Sequence, residues 1–61
     1  MKFKTKQELE VYCDRLFRER GLSVTAVMAN SREGILFSYD WESGSDIEVG
    51  SFIKKGEYYY F

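Results

Sequence analysis

The chain has 61 residues, a formal net charge of −1, one cysteine, and no proline or histidine. A chain this short forms one domain, 1–61, and buries only about 60% of the surface that its unfolded form exposes. The charge and a pI of about 5.3 argue against a general nucleic-acid-binding domain, which usually carries a basic excess. Cys13 has no partner for an internal disulfide, and no apolar run follows the basic N-terminus. We therefore expect a soluble protein of a reducing cytoplasm.

The first predicted element is a helix over 6–20. Thr5 and Glu8 have the spacing of a capping box, in which each side chain bonds a free backbone N–H at the helix start. Gly21 predicts the end of the helix, because glycine adopts the left-handed conformation of a Schellman motif at little cost. Apolar residues at helical spacing predict one buried stripe, which consists of Leu9, Tyr12, Cys13, Leu16 and Phe17.

Four strands are predicted after the helix, over 22–29, 35–42, 46–54 and 57–61. Each shows apolar residues in alternation, with turn residues between one strand and the next. The predicted fold class is α+β, with one N-terminal helix packed on a three- to four-stranded antiparallel meander in the order α-β-β-β-β. Because only one helix is available, one face of the sheet remains open to solvent or to a partner.

Alternation around the second turn assigns side chains to faces. The second strand is expected to point Ile35, Phe37, Tyr39 and Trp41 towards the helix, and the third strand Ile47 and Val49. A three-residue loop over 43–45 is required to keep these residues of the two strands on the same face of the sheet. That register places four carboxylates on the open face in two cross-strand pairs, Asp40 with Glu48 and Glu42 with Asp46. Like charges directly opposite each other destabilise a sheet, so folding alone would not select this arrangement.

The last hairpin is expected to turn at Lys55-Gly56, which pairs Lys54 with Glu57. On this register Tyr58 and Tyr60 face the helix. A bulge at Gly50 is the alternative, because glycine inside a strand often marks one, and it would turn the following aromatic residue into the core. Without the bulge, the open face has an aromatic end formed by Phe52, Tyr59 and Phe61.

The four carboxylates admit several interpretations. Carboxylate oxygens are ligands for hard cations, but the spacing of an EF-hand is absent and no histidine is available for a transition metal. Paired carboxylates can act as acid and base, but an open sheet face excludes little water. A buried Cys13 without a histidine base is not a nucleophile. We therefore expect no enzyme, cofactor or metal site, and either a solvated surface or a surface that binds a basic patch on another protein.

In size, cytoplasmic character and acidic open face, the chain resembles the small inhibitors that phages encode against host defence systems, anti-CRISPR proteins among them. Some of those inhibitors are DNA mimics in their charge. The resemblance concerns the build of the whole chain and no specific residue. It implies a non-enzymatic inhibitor, in the host cytoplasm, of a basic, nucleic-acid-handling surface on a larger protein. The expected partner-binding residues are Asp40, Glu42, Asp46, Glu48, Phe52, Tyr59 and Phe61.

A second interpretation is a small nucleic-acid-binding or regulatory module. It would use the N-terminal lysines Lys2, Lys4 and Lys6 together with the helix arginines Arg15, Arg18 and Arg20, which are interleaved with acidic residues. The last strand is also expected to lie at the sheet edge, where its unpaired backbone groups could accept another strand. The chain is therefore expected to be a monomer or an edge-strand dimer.

Overall fold

A computed structural model describes all 61 residues and confirms the α+β class. Its one helix packs on a five-stranded antiparallel sheet of order β1-β5-β4-β3-β2. That helix lacks the length and apolar character that crossing a membrane requires. The four predicted strands are present, and β1 is an additional strand that the sequence analysis missed. The elements are β1 (Lys2–Phe3), α1 (Lys6–Arg18), β2 (Val24–Met28), β3 (Glu33–Asp40), β4 (Ser45–Lys55) and β5 (Tyr58–Tyr60).

Thr5 and Gly21 cap α1 as predicted, although the helix ends at Arg18 and the Glu8 carboxylate accepts from the N–H of Lys4 rather than from that of Thr5. Thr5 Oγ1 accepts a hydrogen bond from the backbone N–H of Glu8 at 3.1 Å. At the other end, the N–H of Leu22 donates to the carbonyl of Phe17 at 3.3 Å across Gly21, which is the long bond of a Schellman motif. The helix boundaries are therefore set by local hydrogen bonds that the sequence specifies.

Side chains of α1 bind the outer edge of β2, which has no strand beside it. Glu10 Oε2 accepts from the N–H of Ala26 at 2.8 Å, and Asp14 Oδ1 accepts from the N–H of Val24 at 3.0 Å. Lys6 Nζ donates to the carbonyl of Ala26 at 3.1 Å. The three helix residues are spaced four apart and so lie in one line along the helix. They occupy backbone groups that would otherwise accept another strand.

The core lies between α1 and one face of the sheet. Val24 is paired with Ser38 and Ala26 with Leu36, so the alternation that buries Val24 and Ala26 also buries the even-numbered side chains of β3. The predicted face of β3 is therefore wrong, because Ile35, Phe37 and Tyr39 point away from the helix. The buried apolar residues are Leu9, Cys13, Val24, Ala26, Leu36 and Phe52.

β4 carries a one-residue bulge at Val49. Leu36 lies opposite Gly50, whereas the next residue of β3, Phe37, lies opposite Glu48. Val49 therefore has no partner in β3 and is the extra residue. The bulge that glycine predicted as an alternative is thus the arrangement found. Phe52 consequently faces the helix and is only 3% exposed.

Two glycines lie beneath larger side chains in the ladder of β3 and β4. Gly34 is opposite Phe52, and a Cβ atom at Gly34 would overlap ring atom Cζ. Gly50 is opposite Leu36, whose Cδ1 would lie 3.3 Å from a Cβ at that position. The absence of a Cβ lets the buried phenyl ring lie directly over the β3 backbone.

The last hairpin turns at Gly56-Glu57, one residue later than predicted. Lys55 lies opposite Tyr58, and Lys54 lies opposite Tyr59 rather than Glu57. The physical reason is the turn geometry. Gly56 has φ +64° and occupies the first central position, where a type II′ turn requires glycine.

This register exchanges the faces of the three tyrosines. Tyr59 packs against Phe52, with ring centroids 6.3 Å apart, and the other two tyrosines lie on the opposite face. Phe61 packs against Tyr12 of α1, with ring centroids 6.2 Å apart. The predicted aromatic end of the open face is therefore wrong, because Phe52, Tyr59 and Phe61 all lie on the helix side.

β5 is not an edge strand, contrary to the prediction. β1 pairs with its outer side, with Lys2 opposite Tyr60 and Phe3 opposite Tyr59. The backbone groups that an edge-strand dimer would use on β5 are thus occupied within the chain.

We predict that Gly34→Ala destabilises the fold by about 1–3 kcal/mol, because the new methyl group overlaps the buried Phe52 ring. Ser51→Ala, on the exposed side of the adjacent strand, is the matched control and should change stability by less than about 0.5 kcal/mol. Urea denaturation of the two variants and the native chain measures the difference. Equal denaturation midpoints for all three would contradict the packing described.

Asp14 is expected to contribute stability that acid removes. Bonds from the Val24 N–H and from the Arg18 guanidinium, the latter at 2.8 Å, hold the pKa of Asp14 below its usual value. A carboxyl group with a lowered pKa in the folded state stabilises the fold above its unfolded pKa of about 3.9, and this contribution disappears as the pH falls through the folded pKa. The melting temperature of Asp14→Asn should therefore lie below that of the native chain at pH 6. The two should converge towards pH 2, and a gap that stays constant with pH would contradict the assignment.

Candidate protein-binding surface

The loop between β3 and β4 contains four residues, Trp41–Gly44, rather than the three predicted. Asp40 lies opposite Ser45, and the N–H of Gly44 donates to the Asp40 carbonyl at 2.8 Å. Asp40 Oδ1 also accepts from the N–H of Glu42 at 3.1 Å. Asp40 thus fixes the start of the loop with both its backbone and its side chain.

The four carboxylates of this hairpin end do not form the predicted cross-strand pairs. Asp46 lies opposite Tyr39, and Glu48 lies opposite Phe37. A loop with an even number of residues puts Asp40 on the helix side of the sheet and Asp46 on the open face, while Glu42 lies in the loop itself. The structure thereby avoids the like-charge pairs that the predicted register contained, and it distributes negative charge over both sides of the hairpin.

No cation compensates this charge. The only salt bridge of the structure joins Arg18 to Asp14 at 2.8 Å, and the sequence contains no lysine or arginine from Glu33 to Ile53. Nor do three or more metal-ligating side chains converge at any point of the structure. The hairpin end therefore presents four unpaired carboxylates, those of Asp40, Glu42, Asp46 and Glu48.

Trp41 stands at the tip of this hairpin and is 87% exposed. Its ring meets that of Tyr39 edge-on, with centroids 4.9 Å apart and an interplanar angle of 78°. A large aromatic side chain that is this exposed contributes little to the core. Tryptophan and tyrosine are enriched among the residues that anchor protein interfaces. A shallow depression beside the two rings is lined by Gly21, Ser23, Thr25, Tyr39, Trp41 and Asp46.

The sheet face directed away from α1, which we term the open face, is apolar over much of its length. Ile53 is 52% exposed, and Val27 and Tyr39 are each close to half exposed. Contiguous apolar surface is uncommon on small soluble domains and marks sites of interaction. The register of the strands assigns seven large side chains to this face, namely Val27, Ile35, Phe37, Tyr39, Ile53, Tyr58 and Tyr60.

The basic residues of the nucleic-acid interpretation are placed apart from one another. Lys2 lies on the open face, with its Nζ 4.1 Å from the centroid of the Tyr58 ring. Lys6 is bonded to the edge of β2, and Arg18 is paired with Asp14. Lys2, Lys6 and Arg18 are thus held at different places and do not form one basic patch of the kind that follows a phosphate backbone.

Tyr39 and Trp41 were predicted to lie in the core, so their role as surface residues was not predicted. The available signal was Gly44, because a four-residue hairpin loop commonly ends in a residue with positive φ, and Gly44 has φ +70°. One additional residue in that loop reverses the faces of the β3 residues that precede it, whereas Asp46, Ile47 and Glu48 after it keep their predicted faces.

No family model, curated protein or solved structure matches this chain. The geometry and charge of the surface itself are therefore the basis on which a function can be inferred.

We predict that Trp41, the only tryptophan, shows fluorescence emission close to that of free tryptophan in water and is fully accessible to acrylamide quenching. Trp41→Ala should change the free energy of unfolding by no more than about 0.5 kcal/mol, because the side chain is exposed. Phe52→Ala, a buried aromatic residue of the same hairpin, is the contrast and should cost about 3–5 kcal/mol. Blue-shifted, protected emission from the monomer would contradict the placement of Trp41.

Proposed function

We propose that this protein is a non-enzymatic inhibitor that docks the end of its β3–β4 hairpin on a basic, nucleic-acid-handling surface of a larger protein. One observation carries the proposal: an almost fully exposed Trp41 stands among four carboxylates that have no cationic partner in the chain. An aromatic anchor within a charged rim is the arrangement that gives an interface both affinity and orientation.

The placement of the charges supports a groove rather than a flat patch as the partner surface. Asp40 and Asp46 lie on opposite faces of the hairpin, with Glu42 in the loop between the strands. A hairpin with negative charge on both sides complements a cleft with basic residues on both walls. Channels that bind single-stranded nucleic acid have such basic walls, together with aromatic side chains on which the bases stack.

Electrostatics and aromatic contacts have different roles in this proposal. Unpaired carboxylates raise the rate of encounter with a basic surface, and this effect weakens as salt screens the charges. The Trp41 ring supplies apolar contact area and can stack on an arginine or lysine of the partner. The small size and the acidic hairpin support an inhibitor of the phage anti-defence type, acting in the host cytoplasm and imitating the charge of DNA.

We expect proteins with basic surfaces to be retained from a bacterial lysate by the immobilised native chain and lost with Trp41→Ala. For a purified partner, Trp41→Ala should weaken binding more than tenfold, as loss of an interface anchor does. Asp40→Asn with Glu42→Gln should weaken binding at low salt and reduce its salt dependence. Asparagine retains the oxygen that accepts the loop hydrogen bond, so this pair of substitutions changes charge rather than shape.

Glu57→Gln is the charge control for that experiment, because Glu57 lies in the turn at the far end of the sheet. It should leave the affinity unchanged. A partner that binds the native chain, Trp41→Ala and the double variant equally well would exclude the hairpin end as the binding site.

A further inference from the structure

We propose that the open face is the interface of a homodimer, in which two copies of this chain pack face to face with their strands antiparallel. The proposal concerns a surface beyond the hairpin tip and does not depend on the inhibitor function. Its starting point is the row of large apolar side chains that no element of the chain covers, from Val27 and Ile35 to Ile53 and Tyr60.

Charge on the open face is separated along the strands. Asp46 and Glu48 lie at one end, opposite Tyr39 and Phe37 in the register. Lys2 and Lys55 lie at the other end, on the face that also carries Tyr58 and Tyr60. None of these four charged groups forms a salt bridge within the chain. The surface therefore has an unpaired acidic end and an unpaired basic end, and the basic end also contains Glu33.

This separation makes the face complementary to itself in one orientation only. In a two-fold dimer the same patch contributes from both subunits. If the strands of the two copies run antiparallel, the acidic end of each copy meets the basic end of the other. If they run parallel, acid meets acid and base meets base, which costs free energy at both ends. The charges thus select the antiparallel arrangement.

The apolar residues lie where this arrangement requires them. Lys55 lies nine positions after Asp46 in β4, a distance of about 30 Å in an extended strand. Their midpoint is at Gly50 and Ser51, and Ser51 is paired with Ile35 on the open face. A two-fold axis near Ile35 would therefore place the aliphatic and aromatic side chains at the centre and the charged pairs at the rim, as in known interfaces.

The area of the face is sufficient. The two longer dimensions of the molecule are 38 and 22 Å, against a thickness of 13 Å. They outline about 800 Å² including the hairpin tip, so the face without the tip lies towards the lower end of the roughly 600–1,000 Å² that each partner contributes to a standard interface. A helix covers the other face, so the open face is the one surface of this size that remains for a second copy.

The dimer leaves the hairpin tips accessible. Trp41 and Glu42 lie in the loop beyond the last paired residues, Asp40 and Ser45, and the antiparallel arrangement carries the two tips to opposite ends. Asp46 and Glu48 belong both to the hairpin end that is proposed to bind a partner and to the dimer interface, where they would pair with lysines of the second copy.

Charge exchange between two variants tests the proposal on the purified chain. Asp46→Lys with Glu48→Lys makes both ends of the open face basic, and Lys2→Glu with Lys55→Glu makes both ends acidic. Sedimentation equilibrium at low salt should show a dimer for the native chain and a dissociation constant at least tenfold weaker for each variant alone. An equimolar mixture of the two variants should restore the dimer, because acidic faces then meet basic faces. Circular dichroism establishes that each variant is folded.

Apolar substitutions provide an independent measurement. Ile53→Glu on the open face should also weaken the dimer at least tenfold. Val11→Glu, at an exposed apolar position on α1, is the matched control and should leave it unchanged. A native chain that stays monomeric at millimolar concentration would overturn the proposal. So would charge-exchange variants that dimerise like the native chain, or a mixture that fails to associate.

Discussion

The extra residue at Val49 is the constraint on which both faces of the sheet depend. In a regular strand, Asp46, Glu48, Gly50 and Phe52 would all point to the same side, because side chains alternate with a period of two. The bulge reverses the alternation within β4, so Phe52 faces the helix while the two carboxylates remain in solvent. A single inserted residue thereby lets one strand place Phe52 in the core and Asp46 and Glu48 on the solvent side. A core and an acidic surface are built from one continuous segment.

The core is small, so binding at the uncovered face can contribute substantially to the stability of the fold. Only eight of the 61 residues are buried, and one of them, Ser38, places its hydroxyl in the core without a hydrogen-bond partner. A buried hydroxyl without a partner costs about 1–3 kcal/mol. A domain with so little interior has limited stability of its own, and any molecule that binds only the folded form adds to it. The open face and the hairpin tip are the two surfaces through which this chain could gain such stability.

The parts of the fold that were predictable are those specified by local chemistry. The Thr5 cap and the Gly21 terminus fix α1 through hydrogen bonds between residues close in sequence, and alternation identifies the strands. The faces were not predictable, because they depend on whether a loop or strand contains an odd or an even number of residues. One residue more in the loop after Asp40, and one more at Val49, changed the side on which Tyr39 and Phe52 lie. The cluster of acids was thus identified from sequence, whereas its arrangement, and Trp41 at its centre, required the structure.

β1 joins residues at the two ends of the chain, and this determines the order in which the sheet can form. The pairs from β2 to β5 connect neighbouring segments, whereas Lys2 pairs with Tyr60, so the ladder of β1 closes a loop of almost the whole chain. Loop closure of this length costs more entropy than closure of any hairpin, and it is offset by two ladder pairs, by hydrogen bonds between Met1 and Phe61, and by the Phe3–Tyr12 contact. We therefore expect β1 to dock after the meander has folded and to be the first strand to detach. Its detachment would uncover the outer side of β5, so the vulnerability of this fold to strand exchange is concentrated at its N-terminus.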